Sequence, residues 1–209
     1  MKTYSPPRRG QPPTRLAIVV AVFEKFQQKD VKMEEKIIIA GFGGQGVVLA
    51  GNILAQAALA SGKQIAAMVS YGVEMRGGAA NCTVTISDDE IASPVVDNPT
   101  TAIILSQQAL EKFEEAVERG GLIILNESLV DRGVKRKDVK VVKVKATDIA
   151  NELGNVKVAN VIMIGAFVKK TGILNINNVI QILPNAFPKN KQDLVEINKK
   201  ALEKGSELV

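Results

Sequence analysis

The stretch Lys36-Ile37-Ile38-Ile39-Ala40-Gly41-Phe42-Gly43-Gly44-Gln45-Gly46-Val47 sets a short apolar run before a Gly-x-Gly-x-x-Gly turn, and a long helix-forming segment follows. That order is what a strand–loop–helix anion cradle requires. Gly41 permits the tight turn, Gly43 lets the backbone approach a ligand, and Gly46 allows close helix–strand packing. The helix start then offers unpaired N–H groups and the positive end of its dipole to a phosphate or carboxylate.

A dinucleotide site adds an acidic residue about 20 positions further on, which holds the ribose hydroxyl. No Asp or Glu occurs between Val47 and Val73, and the second strand, Gln64–Val69, ends in Ser70-Tyr71. The phosphate half of the fingerprint is present and the ribose half is missing, which argues against bound NAD. A P-loop is excluded, because no Lys-Ser or Lys-Thr closes the glycine run. Three readings of the turn stay open: a structural loop, a site for another anion, or a surface for a partner protein.

Composition narrows the chemistry. Apolar residues at 46% and charged residues at 23% fit one globular α/β domain, and aromatics at only 4% imply an aliphatic core of the kind that parallel sheets use. The net charge of +5 is local. Of the 27 basic and 22 acidic residues, seven basic (Lys2, Arg8, Arg9, Arg15, Lys25, Lys29, Lys32) and two acidic (Glu24, Asp30) lie in residues 1–33, so the rest of the chain balances at twenty of each. The body is therefore not read as a nucleic-acid surface. Histidine is absent, which removes the commonest general base and metal ligand. The single Cys82 cannot build an iron–sulfur site or an internal disulfide, and one free thiol fits a reducing cytoplasm.

Residues 1–14 are rich in Pro, Arg and Gly and are expected to be disordered. Leu16–Phe23 is apolar behind arginines. It sits at the short limit of a signal peptide, has no cleavage site, and is far too short to span a bilayer. The expected division is a basic extension over 1–32, arising from an upstream start or forming a short amphipathic helix, and a single domain over 33–209. Within that domain the expected strands are Ile37–Ala40, Gln64–Val69, Asn81–Ser87, a return strand Glu90–Val96, Thr101–Leu105, Leu122–Leu125 and Val139–Val144. The expected helices are Gly44–Ala60, Glu111–Gly120, Asp148–Leu153, Asn160–Lys170, Asn177–Leu183 and Asp193–Leu208. Alternation of strands and helices implies a three-layer α/β fold, a mostly parallel sheet with helices on both faces. The helix Gly44–Ala60 is apolar nearly all round and uncharged, so it is buried on more than one side. Either a partner or the sheet with the C-terminal helices supplies the second cover.

The loop Ser70-Tyr71-Gly72-Val73-Glu74-Met75-Arg76-Gly77-Gly78-Ala79-Ala80-Asn81-Cys82 concentrates a Tyr, a carboxylate and a guanidinium between glycines. It follows a strand at the sheet edge that carries the Gly-rich turn, where open α/β sheets place their ligand crevices. Arg76 can bind a carboxylate or phosphate bidentately, and Glu74 can face a partner's cation. The alternative is a self-satisfied Glu74–Arg76 pair.

Gly41–Val47, Tyr71–Gly78, Ala80–Val84 and Ser87–Ile91 with Ser93-Pro94 together resemble the gamma subunit of 2-oxoacid:ferredoxin oxidoreductases, over about residues 35–209. The Tyr-Gly-Val-Glu-Met-Arg-Gly-Gly wording is most similar to the 2-oxoglutarate branch. The resemblance implies a complex that oxidatively decarboxylates a 2-oxoacid, transfers the acyl group to coenzyme A and reduces ferredoxin. It implies alpha and beta subunits, with or without delta, and thiamine diphosphate, magnesium and iron–sulfur clusters on those other chains. This sequence has no Gly-Asp-Gly thiamine motif and no cysteine cluster. The implied role is assembly, with coenzyme A binding or active-site covering as further expectations. The implied site residues are Gly41, Gly43, Gly44, Gln45 and Gly46, an anion-facing or subunit-facing turn, and Tyr71, Glu74 and Arg76, the loop nearest the active site or coenzyme A. No catalytic acid or base and no metal ligand is assigned. Cys82 reads as a core thiol, and Arg132, Lys135, Arg136 and Lys137 as a solvated turn rather than an adenylate-phosphate site. The rival readings are a pyruvate or branched-chain 2-oxoacid enzyme, a free-standing NAD(P)-dependent dehydrogenase, and a nucleotide- or anion-binding module.

Overall fold

The computed structural model describes residues 33–71 and 78–209. The expectations for residues 1–32, and those for Glu74 and Arg76, fall outside these. Strands β1 (Glu34–Phe42), β2 (Gln64–Tyr71), β3 (Ala79–Ser87), β4 (Thr101–Ile104), β5 (Leu122–Asn126) and β6 (Lys140–Val144) form one sheet in the order β2-β3-β1-β4-β5-β6. The pairs β1–β4, β4–β5 and β5–β6 are parallel, and β3 runs antiparallel to both β1 and β2. Five strands thus share one direction. The helices are α1 (Val47–Ala60), α2 (Gln107–Phe113), α3 (Ala146–Glu152), α4 (Ala159–Thr171), α5 (Ile176–Ala186) and α6 (Asp193–Glu207).

Strand periodicity divides the core in two. Ile37 and Ile39 of β1 point with Val84, Ile86 and Ile124 into a large cluster under α1, α4, α5 and α6, while Ile38 and Ala40 point with Ala102, Ile104 and Ile123 toward Ala109 and Leu110 of α2. Central parallel strands buried on both faces need continuous apolar runs, which β1, β4 and β5 supply. The cover for α1 is internal: it packs on β1, β2 and β3 and against α4 and α5. Its close approach to the sheet occurs at Gly51, where an added Cβ would stand 2.4 Å from the Cys82 sulfur.

Four expected elements are corrected. Glu90–Val96 forms no strand, since β3 is already paired on both sides. Pro94 has no N–H to give a ladder, and Val95 N instead donates to the Ser93 hydroxyl at 3.2 Å. The helix expected at Glu111–Gly120 starts earlier, because the Ser106 hydroxyl caps Ala109 N at 3.3 Å, and stops at Phe113. Pro184 does not end α5 but sits in its last turn, at the loss of one i→i−4 backbone hydrogen bond. The Gln192 amide then donates to the carbonyls of Pro184 and Phe187 at 3.0 and 3.1 Å. The fourth correction concerns Arg132–Lys137, which is no loose solvated turn but wraps a buried carboxylate.

That carboxylate belongs to Glu114, 3% exposed just after α2. It accepts from Arg132 Nη2 at 2.8 Å, Arg136 N at 3.0 Å and Lys135 N. Arg136 in turn forks onto Asp138 at 2.9 and 2.7 Å. Burial alone would raise the Glu114 pKa. The backbone donors Arg136 and Lys135, joined by the Arg132 guanidinium, outweigh it and hold the group below its usual value. A depressed carboxylate contributes stability that is complete above the unfolded pKa, near 4.5, and is lost as pH falls through the folded value. Glu114→Gln is therefore expected to cost about 2 kcal/mol at pH 7, discounted because Arg132 is partly solvated. The gap from wild type should close below about pH 4 in urea titrations followed by circular dichroism. A gap that stays constant to pH 3 would contradict this assignment.

Candidate functional site

The Gly-rich turn leaves β1 at Phe42 and enters α1 at Val47. Gly44 and Gly46 have φ of 104° and 72°, a left-handed backbone that side-chain-bearing residues avoid. Gly41 lies within β1 and serves a different need from the one the motif suggested. A Cβ there would stand 2.3 Å from Gln45 Oε1 and 3.0 Å from Leu105 Cβ. The vacated space holds the Gln45 carboxamide, which accepts from Phe42 N at 2.7 Å and donates to the Leu105 carbonyl at 3.1 Å. Gln45 thus clamps the end of β1 to the end of β4.

Gly46 makes room for Asn160, from the first turn of α4. The Asn160 amide donates to the Gly46 carbonyl at 2.9 Å, and an added Cβ would approach that amide nitrogen to 2.3 Å. Asn160 Oδ1 accepts from Val161 N at 2.9 Å, so the 1%-exposed side chain is satisfied. Sequence reasoning missed Asn160. Its signal was a lone amide at the head of the otherwise apolar run Val161–Val168.

The two motifs meet. Phe42 pairs with Ala79, and Gly43 N donates to the Gly78 carbonyl at 2.9 Å, which ties the turn to the C-terminal end of the second loop. Tyr71 closes β2 at this same sheet edge. Glu74 and Arg76 lie outside the described residues.

Beside the turn is a crevice of about 140 Å3 over the C-terminal ends of β1, β4 and β5. Gly44, Gln45, Leu105, Asn126, Thr147 and Lys157 line it, with no carboxylate among its walls. This is where the chain order reverses across the sheet, the switch point at which open α/β sheets bind ligands. Asn126 is 1% exposed, and its amide is fixed by the Thr147 hydroxyl at 2.9 Å. The α1 N-terminus carries no side-chain cap and no acidic residue in its first turn. A hollow of about 600 Å3, lined by Leu49, Phe187 and Lys191, shares Lys157 with the crevice. Lys157 and the lack of acid among the crevice walls suit a carboxylate or phosphate, whereas the larger hollow also carries Asp193.

Cys82 is 2% exposed in β3, and burial pushes its thiol pKa up, away from the thiolate a nucleophile or cluster ligand needs. Among the described residues no group of three or more His, Cys, Asp or Glu could hold a metal ion. Nor is any described helix long and apolar enough to cross a membrane.

Residues 36–208 match the family model described as pyruvate ferredoxin/flavodoxin oxidoreductase, and the chain belongs to that family. It is similar to the 2-oxoglutarate synthase subunit KorC of Methanocaldococcus jannaschii, 38% identical over 88% of this chain and 98% of that protein. It is also similar to the ketoisovalerate oxidoreductase subunit VorA of Methanothermobacter marburgensis, 34% identical over 83% of this chain but only 36% of that one. Among solved structures, the gamma subunit of the keto/oxoacid ferredoxin oxidoreductase from Geobacter sulfurreducens superposes with a TM-score of 0.72 at 31% identity, covering 83% of this chain and 96% of that chain. Within the family, the chain is the gamma subunit of a 2-oxoacid:ferredoxin oxidoreductase.

Proposed function

We propose that this gamma subunit serves a complex that converts 2-oxoglutarate and coenzyme A to succinyl-coenzyme A and carbon dioxide, passing two electrons to ferredoxin. The observation that carries its role is the Gly43–Gly78 bond, which brings the Gly-rich turn and the end of the Tyr71–Gly78 loop to one sheet edge. Thiamine diphosphate, with magnesium, would supply the carbanion chemistry between the alpha and beta chains, and the iron–sulfur clusters would lie in the beta or delta chains. The buried Cys82 gives this chain no thiolate for a cluster. Its own residues bind and cover.

Gly41, Gly43, Gly44, Gln45 and Gly46 form the surface against which the coenzyme or the companion chain rests. Tyr71, Glu74 and Arg76 serve coenzyme A binding or active-site covering, with Arg76 as the fork for a phosphate or carboxylate. The acid-free crevice with Lys157 suits the same anionic ligand. The domain comprises 33–209, and 1–32 is an extension to it. The complex works in the cytoplasm. A pyruvate or branched-chain specificity is the second reading, favoured by the likeness to a ketoisovalerate subunit.

The test is reconstitution with the companion chains and viologen reduction with 2-oxoglutarate, pyruvate and 2-oxoisovalerate in turn. A preference of at least about tenfold for 2-oxoglutarate is expected, with strict dependence on coenzyme A. Arg76→Ala should raise KM for coenzyme A about tenfold or more. Preference for another 2-oxoacid would move the substrate and keep the complex. An intact complex whose coenzyme A kinetics ignore Arg76→Ala would remove the ligand role of that loop.

A further inference from the structure

The two edges of the sheet are built differently. β6 is five residues long and carries exposed Lys140 and Lys143, the charged edge with which soluble proteins prevent strand addition. β2 is eight residues long, and the chain holds no charge from Gln64 to Val73. Its pairing with β3 runs in unbroken register from Gln64 to Tyr71, without a bulge to twist the edge away. Its outer end is apolar and open: Met68 is 47% exposed and Val69 43%. Proline is absent as well.

We infer that β2 is a docking edge, to which an extended uncharged segment of a companion subunit adds as a further strand; this rests on the subunit reading above. Three observations select that occupant. β2 runs directly toward the Tyr71–Gly78 loop, whose end is bonded to the Gly-rich turn, so the edge is continuous with the surface proposed to face the companion. The chain belongs to a family of multi-subunit oxidoreductases, so companion chains are expected to border it. β2 itself carries no charge, so backbone pairing and apolar burial are the contacts this edge offers.

The test uses the complex assembled by co-expression with the companion chains. Amide hydrogen exchange at Gln64–Ser70 is compared between the isolated chain and the complex, and assembly of Met68→Lys is compared with wild type. The outward-facing half of the β2 amides should slow about a hundredfold or more in the complex. Met68→Lys should weaken assembly about tenfold or more without lowering the melting temperature of the isolated chain, since position 68 is exposed. A complex that forms with β2 exchanging as in the free chain, and with Met68→Lys assembling normally, overturns the docking edge and leaves the subunit reading standing. Failure of wild type to assemble removes both. An isolated chain that dimerises through β2, and that Met68→Lys returns to monomer, would give the edge to a second copy and overturn the companion strand.

Discussion

Gly205→Ala in α6 is expected to lower the melting temperature by about 6–12 °C, the equivalent of about 3 kcal/mol for a domain of this size. Helix propensity alone predicts the opposite sign, because Ala is favoured over Gly inside a helix by about 1 kcal/mol. The crossing of α4 and α6 decides. A Cβ at Gly205 would stand 1.9 Å from the Ile162 carbonyl oxygen, and one at Gly165 would stand 2.1 Å from the Leu202 carbonyl oxygen. The two contacts are reciprocal, so the backbones themselves touch. Neither obstacle is a side chain that can rotate away, and relief requires the helices to separate. Separation would open space beside Phe167, Ala201 and Leu202, all fully buried, and lost contact in a dense core is costly. Gly133→Ala is the control, since a Cβ there meets nothing within 4 Å. A Gly205→Ala variant as stable as that control would mean that α4 and α6 do not pack this closely in solution.

These two glycines show where sequence reading stops. A glycine inside a helix reports only a weak local preference, and its partner lies about 40 positions away. The elements that were legible are those whose signal is local: β1 and its Gly-rich turn, the all-round apolar α1, and the stop of α4 at Gly172, whose φ of 66° needs a glycine. Pairing is a property of two segments. The alternation in Asn81–Ser87 marks a strand but does not say that it inserts antiparallel between β1 and β2. Glu114 looked like one acid among several on a charged helix, and only the fold brings Arg132, Lys135 and Arg136 around it. At the candidate site the motif glycines were legible as a group, but not what fills the space they leave. That is Gln45 at Gly41 and Asn160 at Gly46. Asn126, Thr147 and Lys157 carry no motif and reach the crevice only because β5, α3 and the turn before α4 end at the same edge.

Gly46→Ala is expected to reduce the coenzyme A-dependent rate of the reconstituted complex by about a hundredfold, because small displacements of positioning elements have effects of that size. Two costs coincide at this residue. Its φ of 72° disfavours any residue with a Cβ by about 1–2 kcal/mol, and the new methyl would meet the Asn160 amide at 2.3 Å. Asn160 is packed in the first turn of α4 and cannot swing out without abandoning Val161 N, so the Gly-rich turn is the part that yields. Displacing it moves Gly43, and with Gly43 the bond that holds Gly78 and the end of the second loop. One methyl group thus reaches both motifs. Asn160→Ala separates the terms: it deletes the Gly46 hydrogen bond but leaves the turn its glycine, and should cost about tenfold or less in rate. The melting temperature of each variant, taken alongside viologen reduction, distinguishes a displaced turn from a lost fold. If Gly46→Ala melts within a few degrees of wild type and keeps full coenzyme A-dependent activity, the Gly-rich turn serves packing alone and the functional surface must lie elsewhere on the subunit.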